Sequence, residues 1–172
     1  MSVVLIGFMG VGKTSIGNYL GEHYDKPLVD IDTYIVETTK LSIPEIFAKY
    51  GESHFRDLEK KSLEEWIDKD VIISTGGGII ESEASRNVMK GNPHNIWLKC
   101  DVDTVYERIN HDPNRPNANG KSLEDLKSLY SKRESSYNDI AFIHIDADRP
   151  KEVVVTEIIN SLDKDIFAND QS

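Results

Sequence analysis

Short apolar runs alternate along this chain with stretches whose apolar residues recur at helical spacing. The runs are 3–6 (Val3-Val4-Leu5-Ile6), 28–31 (Leu28-Val29-Asp30-Ile31), 71–74 (Val71-Ile72-Ile73-Ser74), 95–99 and 142–146, each followed by a polar or glycine signal. They read as strands. Helical patterns occupy about 13–22, 33–39, 44–67, 82–91, 102–110, 122–137 and 150–162. In the third of these, Phe55 is followed by Leu58, Trp66 and Ile67 at spacings of three, eleven and twelve, and Gly51 is placed to break the segment into two helices. Regular alternation of strand and helix predicts an α/β fold, a parallel sheet with helices on both faces. Ligands in such folds bind at the C-terminal ends of the strands.

The 172 residues fit one domain, here 1–163, with a tail from about 164 expected to fray. The segment 111–121, polar with two prolines and no periodicity, reads as a loop. A net charge of -10 argues against nucleic acid or an anionic membrane surface as partner. Cys100 is the single cysteine and reads as a strand-end core residue, so no disulfide within the chain is available. No apolar run approaches the ~18 residues of a membrane span. The N-terminus leads directly into the first strand without a signal peptide, which points to the cytoplasm.

The candidate chemistry begins at Gly7-Phe8-Met9-Gly10-Val11-Gly12-Lys13-Thr14, directly behind the first strand and opening the first helix. This G-x-x-x-x-G-K-[ST] pattern is a phosphate-binding P-loop, and its chance occurrence in a chain of this length is roughly a one-in-a-hundred event. Backbone N–H groups and a helix N-terminus cradle phosphates, Lys13 reaches the β/γ-phosphates, and the Thr14 hydroxyl ligates Mg²⁺. Nucleotides are anions and the chain is acidic, so several of its twenty Lys/Arg must converge on this loop.

Two more strands end in suggestive residues. At Asp30-Ile31-Asp32 the period of a strand puts both carboxylates on one face, toward the crevice. They suit a water-mediated Mg²⁺ ligand and a general base. They equally suit a helix N-cap and a first-turn acid, and one aspartate can do both. Thr75-Gly76-Gly77-Gly78 lets backbone approach a ligand closely and donate N–H groups to it. Arg56 and Glu59 lie at i, i+3, so the acid can hold a guanidinium suited to a carboxylate; Arg133 and Tyr137, at i, i+4, invite the same reading, and either arginine alone also reads as a solvated charge. Arg115, inside the loop 111–121, has the position of a lid arginine that excludes water and adds positive charge during phosphoryl transfer.

In this order the motifs resemble the shikimate kinase family over about residues 2–162. The matching segments are Gly7 to Thr14, Asp30-x-Asp32, Ile43-Pro44-Glu45-Ile46-Phe47, Gly51-Glu52-x-x-Phe55-Arg56-x-x-Glu59, Gly76-Gly77-Gly78, Arg115-Pro116, and Arg133-x-x-x-Tyr137 with Ala141 following. The resemblance implies a nucleoside-monophosphate-kinase-like fold, three layers α/β/α with strand order 2-3-1-4-5 and a mobile lid. It implies transfer of the ATP γ-phosphoryl group to the 3-hydroxyl of shikimate, on the route to chorismate and the aromatic amino acids, by a mostly monomeric family. By the same resemblance, Gly10, Val11, Gly12, Lys13, Thr14 and Ser15 hold the ATP phosphates, with Thr14 and, through water, Asp30 on Mg²⁺. Asp32 binds shikimate hydroxyls and acts as base. Arg56 and Arg133 clamp the shikimate carboxylate with help from Gly77 and Gly78, and Phe47 and Phe55 wall the ring. Arg108 and Arg149 lie near adenine, and Arg115 is the lid arginine. Asn117-Ala118-Asn119-Gly120 stands where family members often carry apolar residues, which predicts a lid that packs less firmly when closed.

Two rival functions remain at this level. A gluconate-kinase-like enzyme of the same fold would keep the P-loop and change the acceptor site. A nucleotide-dependent module without catalysis would lack an acid aligned with the acceptor hydroxyl, the position Asp32 fills.

Overall fold

The computed structural model describes residues 2–111 and 122–169. A five-stranded sheet in the order β2-β3-β1-β4-β5 is built from β1 (Val3–Gly7), β2 (Leu28–Asp30), β3 (Ile72–Ser74), β4 (Asn95–Lys99) and β5 (Ile143–Asp146). Every pairing is parallel. The α/β class and the order 2-3-1-4-5 are therefore as the sequence predicts. β1, buried along its whole length, sits at the centre and delivers the P-loop to the C-terminal edge of the sheet.

Alternation along the strands sends side chains into two layers. Val4 and Ile6 join Ile73 and Trp97 in a core that also takes Ile31, Ile46, Phe55 and Tyr137. This layer lies under α2 (Ile31–Thr39), α3 (Ile43–Tyr50), α4 (Glu52–Trp66), α5 (Glu83–Lys90) and α7 (Leu123–Ile140). Val3 and Leu5 face the other way, onto Ile16 and Leu20 of α1 (Lys13–Tyr24) and Val154, Ile158 and Leu162 of α8 (Lys151–Asn169). A smaller cluster joins Phe8 of the P-loop to Val105 and Ile109 of α6 (Val102–Asn110) and Leu126 of α7.

The local reasons for the acceptor-side elements are visible in the sequence. α3 opens with a capping box: Glu45 N–H donates to Ser42 Oγ at 3.2 Å and Ser42 N–H to the Glu45 carboxylate at 3.4 Å. Gly51, at φ +84°, then turns the chain between α3 and α4, the break expected there.

Three expectations need correction. β2 stops at Asp30, and Ile31 and Asp32 already belong to α2. Asp30 is the N-cap, its carboxylate accepting from Thr33 N–H at 3.0 Å, and Asp32 lies in the first turn. Strand alternation is thus not what aims the two carboxylates; capping chemistry is, helped by the full burial of Ile31. α7 continues to Ile140 because Tyr137 and Ile140 are both buried and extend its apolar stripe. α8 runs past 162, through Asn169: Leu162 is still in the core, and Asp163 accepts a hydrogen bond from Tyr24 Oη at 3.1 Å. The lid residues around Arg115 lie outside the described residues.

Candidate active site

At the C-terminal edge of the sheet a cleft of about 620 Å³ is lined by the P-loop, Asp30, Asp32, Gly76, Gly77 and Lys151. Its floor is the N-terminus of α1. Gly12, at φ +98°, is the N-cap and offers no side-chain acceptor, so the first N–H groups of a twelve-residue helix open into the cleft. Val11 turns its side chain into the core and leaves only backbone to the loop. The Lys13 ammonium is buried and donates to the carbonyls of Gly7 at 2.7 Å and Phe8 at 2.9 Å, held at the loop it would serve. Arg108 reaches over the loop, Nη1 to the Gly10 carbonyl at 3.4 Å.

The second corner is a set of oxygens. Thr14 Oγ1 donates to Asp30 Oδ2 at 2.8 Å and lies 3.2 Å from Ser74 Oγ. Parallel pairing of β2 with β3 sets Asp30 opposite Ser74. Hydroxyl and carboxylate oxygens converging beside phosphate-binding backbone fit Mg²⁺, a hard cation that takes few protein ligands and completes its shell with phosphate and water. No group of three His, Cys, Asp or Glu that could cage a metal occurs among the described residues.

The third corner holds Asp32 and the arginines. A Cβ on Gly76 would fall 3.1 Å from Asp32 Oδ1 and 3.3 Å from Glu59 Oε2, so the absent side chain lets two carboxylates approach the backbone. Burial, and then the neighbouring Asp30, push the Asp32 carboxyl above the usual range, against Lys13 and Arg56. Glu59 is fully buried, and burial pushes its carboxyl up to about 7 although Arg56 opposes that rise. Arg56 binds Glu59 through Nη1 at 2.6 Å. Arg133 reaches the same place from α7, and both guanidiniums meet Glu81. Arg56 Nε, Arg133 Nε and Arg133 Nη1 are buried without a hydrogen-bond partner. Orphaned cationic donors on two arginines suit a carboxylate. Phe47 and Phe55 lie beside them, ring centroids 5.0 Å apart, with the Arg56 guanidinium 5.4 Å from the Phe55 ring. Tyr137 Oη donates to the Gly77 carbonyl at 2.5 Å and fixes the glycine run.

Of the residues singled out in the sequence, Gly10, Gly12, Lys13, Thr14, Ser15, Asp30, Asp32 and Gly77 line the cleft, and Arg56 and Arg133 stand beside its glycine wall, against Gly78 and Gly77. Arg149 does not line it: its Nε donates to the Asp146 carbonyl at 2.9 Å and its Nη2 pairs with Glu157. Its neighbour Lys151 does, donating from Nζ to Ser15 Oγ at 2.7 Å. Lys151, Ser74 and Glu81 are the site residues that sequence reasoning missed. Only the position of Ser74, at a strand end just before the glycine run, carried a signal.

A family model described as "Shikimate kinase" matches residues 9–163. A relative named shikimate kinase from Staphylococcus aureus (strain MSSA476) is 48% identical over 169 residues, covering 98% of this chain and 95% of its own length. Among solved structures, shikimate kinase from Aquifex aeolicus vf5 aligns with a TM-score of 0.82 at 33% identity, over 97% of this chain and 99% of that one. Shikimate kinase from Acinetobacter baumannii, solved in complex with shikimate, aligns with a TM-score of 0.86 at 28% identity, over 95% and 93% of the two chains. A gluconokinase from Sinorhizobium meliloti 1021, at 15% identity and a TM-score of 0.62, shares the fold alone.

Proposed function

The chain belongs to the shikimate kinase family, and from that premise we propose how its own residues divide the transfer of the ATP γ-phosphoryl group to the 3-hydroxyl of shikimate. The observation that carries the reading is the position of Asp32. Asp32 lines the cleft with Lys13 and Thr14 on the phosphate side, and at Gly76 it stands beside Glu59, the partner of Arg56, on the acceptor side. A carboxylate there can accept the proton of an acceptor hydroxyl aimed at the γ-phosphorus, and a raised pKa makes it a better base.

The P-loop backbone from Gly10 to Ser15 holds the phosphates, and Lys13 exchanges its loop carbonyls for phosphate oxygens. Thr14 and, through water, Asp30 hold Mg²⁺. Bound there, the ion supplies charge neutralisation across the phosphates. Arg56 and Arg133 turn their orphaned N–H groups on the shikimate carboxylate, and Phe47 and Phe55 wall the ring. Gly77 and Gly78 give the acceptor room beside the guanidiniums. Arg108 borders the adenine, with Arg149 at its outer edge, and Arg115 completes the charge balance from the lid. These roles ask for positioning and electrostatics rather than covalent chemistry. We also take the enzyme to be a monomer, the state the family resemblance implies, and cytoplasmic, since a single cysteine whose thiol burial pushes up to about 12 suits a reducing compartment.

Replacement of Asp32 by Asn tests the assignment. Turnover with shikimate should fall at least ~100-fold, the lower end of what a general base contributes, while ATP affinity measured by calorimetry stays within about two-fold. Retained turnover would remove Asp32 as base. ADP release stimulated by gluconate or a nucleoside monophosphate, and not by shikimate, would overturn the acceptor.

A further inference from the structure

Two acids in this cluster, Glu59 and Glu81, have no task in the division of labour above; Glu59 holds Arg56 from within α4, whereas Glu81 touches both arginines. The acid of interest is Glu81. It closes the one-turn 3-10 helix Ile79–Glu81, in which side chains three apart eclipse, so it stands back over Gly78. Its N–H donates to the Gly78 carbonyl at 3.0 Å. Gly78 is also where Arg56 rests: a Cβ there would fall 2.5 Å from Arg56 Nη2. One Glu81 oxygen, Oε2, therefore lies 3.4 Å from Arg56 Nη2 and 3.2 Å from Arg133 Nη2, while Oε1 faces Lys132 at 3.3 Å. Burial works against the charge on Glu81, yet Arg133 and Lys132 hold its carboxyl below the usual range, so it is an anion at neutral pH. Both arginine contacts exceed the ~2.7–2.9 Å of a strong charge-assisted bond, so the carboxylate is loosely held.

One carboxylate bridging two guanidiniums is what the acceptor's own carboxylate must do. Resting on the clamp assigned above to Arg56 and Arg133, we propose that Glu81 is a built-in placeholder anion that sets the selectivity of the acceptor site. In the substrate-free enzyme it balances Arg133 and shares Arg56 with Glu59 and Glu52, so the positive charge between the two arginines does not invite any small anion. It also opposes the incoming carboxylate, which shares the same positive charge. Shikimate offsets that opposition through hydroxyl contacts to Asp32. An inorganic anion has no such contacts and is excluded.

The test is steady-state kinetics on the full chain, for wild type, Glu81→Gln, Glu81→Ala and Arg133→Ala, with sulfate as the probe anion competing against shikimate. Both Glu81 variants should lower the shikimate KM about five-fold, the order expected on removing one like-charge repulsion in a partly solvated site. The sulfate inhibition constant should tighten by a similar factor, and the ATP KM should not move. Partial misfolding removes active enzyme but does not lower a KM, so the sign of the effect separates the two causes. Both changes are required: a shikimate KM that is unchanged or raised, or a sulfate constant that is unchanged, overturns the placeholder. Arg133→Ala distinguishes the two levels. A raised KM there without the Glu81 effects leaves the clamp standing alone; an unmoved KM removes the clamp and the placeholder together.

Discussion

In the proposed division of labour, two arginines and two lysines carry charge at this site, and their contributions separate by substrate. Arg56 and Arg133 are assigned to the acceptor, Arg56 through a buried Nε and Arg133 through a buried Nε and Nη1 that have no partner. Replacing either with Ala should cost about 1.5–3 kcal/mol of acceptor binding, roughly a 10- to 150-fold rise in shikimate KM with ATP KM little changed. Lys151 belongs to the nucleotide side. Its ammonium, hydrogen-bonded to Ser15 beside the P-loop, adds charge where an acidic chain needs it. Lys151→Ala should raise the ATP KM about five-fold and leave the shikimate KM alone, and the effect should shrink as salt rises. Single residues were legible where a local pattern carried them: Lys13 and Thr14 inside the P-loop, and Arg56 with Glu59 one helical turn on. Lys151 and Glu81 were not, and Ser74 only through its place at a strand end, because each reaches the site through tertiary packing. Ser74 meets Asp30 only through the register of β2 on β3, and Lys151 meets Ser15 only once α8 lies on α1.

Elements were legible in kind and less so at their ends. The Asp30-x-Asp32 pair shows why. Period two and helix capping both bring the first carboxylate to the crevice, and only the hydrogen bond from Thr33 to Asp30 reveals which geometry operates. The turn after β3 makes a sharper statement. Gly78 has φ -92°, a conformation any residue can adopt, so its backbone does not require glycine. What requires it is the Arg56 guanidinium, whose Nη2 and Cζ lie 2.5 and 3.0 Å from where a Cβ would stand. A long side chain can swing away, so Gly78→Ala should fold with a thermal midpoint within a few degrees of wild type. Its shikimate KM should nevertheless rise roughly ten-fold, because the clamp has moved. A large loss of stability with an unchanged KM would show that the glycine serves the backbone instead.

For the molecule as a whole, the buried acids set how stability follows pH. Glu59 rises from an ordinary 4.5 to about 7 on folding, chiefly through burial. The folded chain therefore holds a proton between those values that the unfolded chain has lost, so this group's contribution is full below about 4.5 and falls away as pH climbs to about 7. Asp32 acts with the same sign. His94 and His144, both lowered by burial, act with the opposite sign, so the contribution of Glu59 is read as a difference: from pH 5 to pH 8 the denaturation midpoint of wild type should fall relative to that of Glu59→Gln. The fold was legible as a whole because each face of the central strand is apolar. The layout of the two cores also bears on how the chain is made. Val3, Leu5, Ile16 and Leu20 lie near the start of the sequence, whereas their cover, Val154, Ile158 and Leu162, comes from the last helix. On the ribosome, β1 and α1 emerge long before α8 exists. One side of the nascent sheet stays greasy until α8 has been made, and a chaperone bound to that side would keep the growing chain from aggregating.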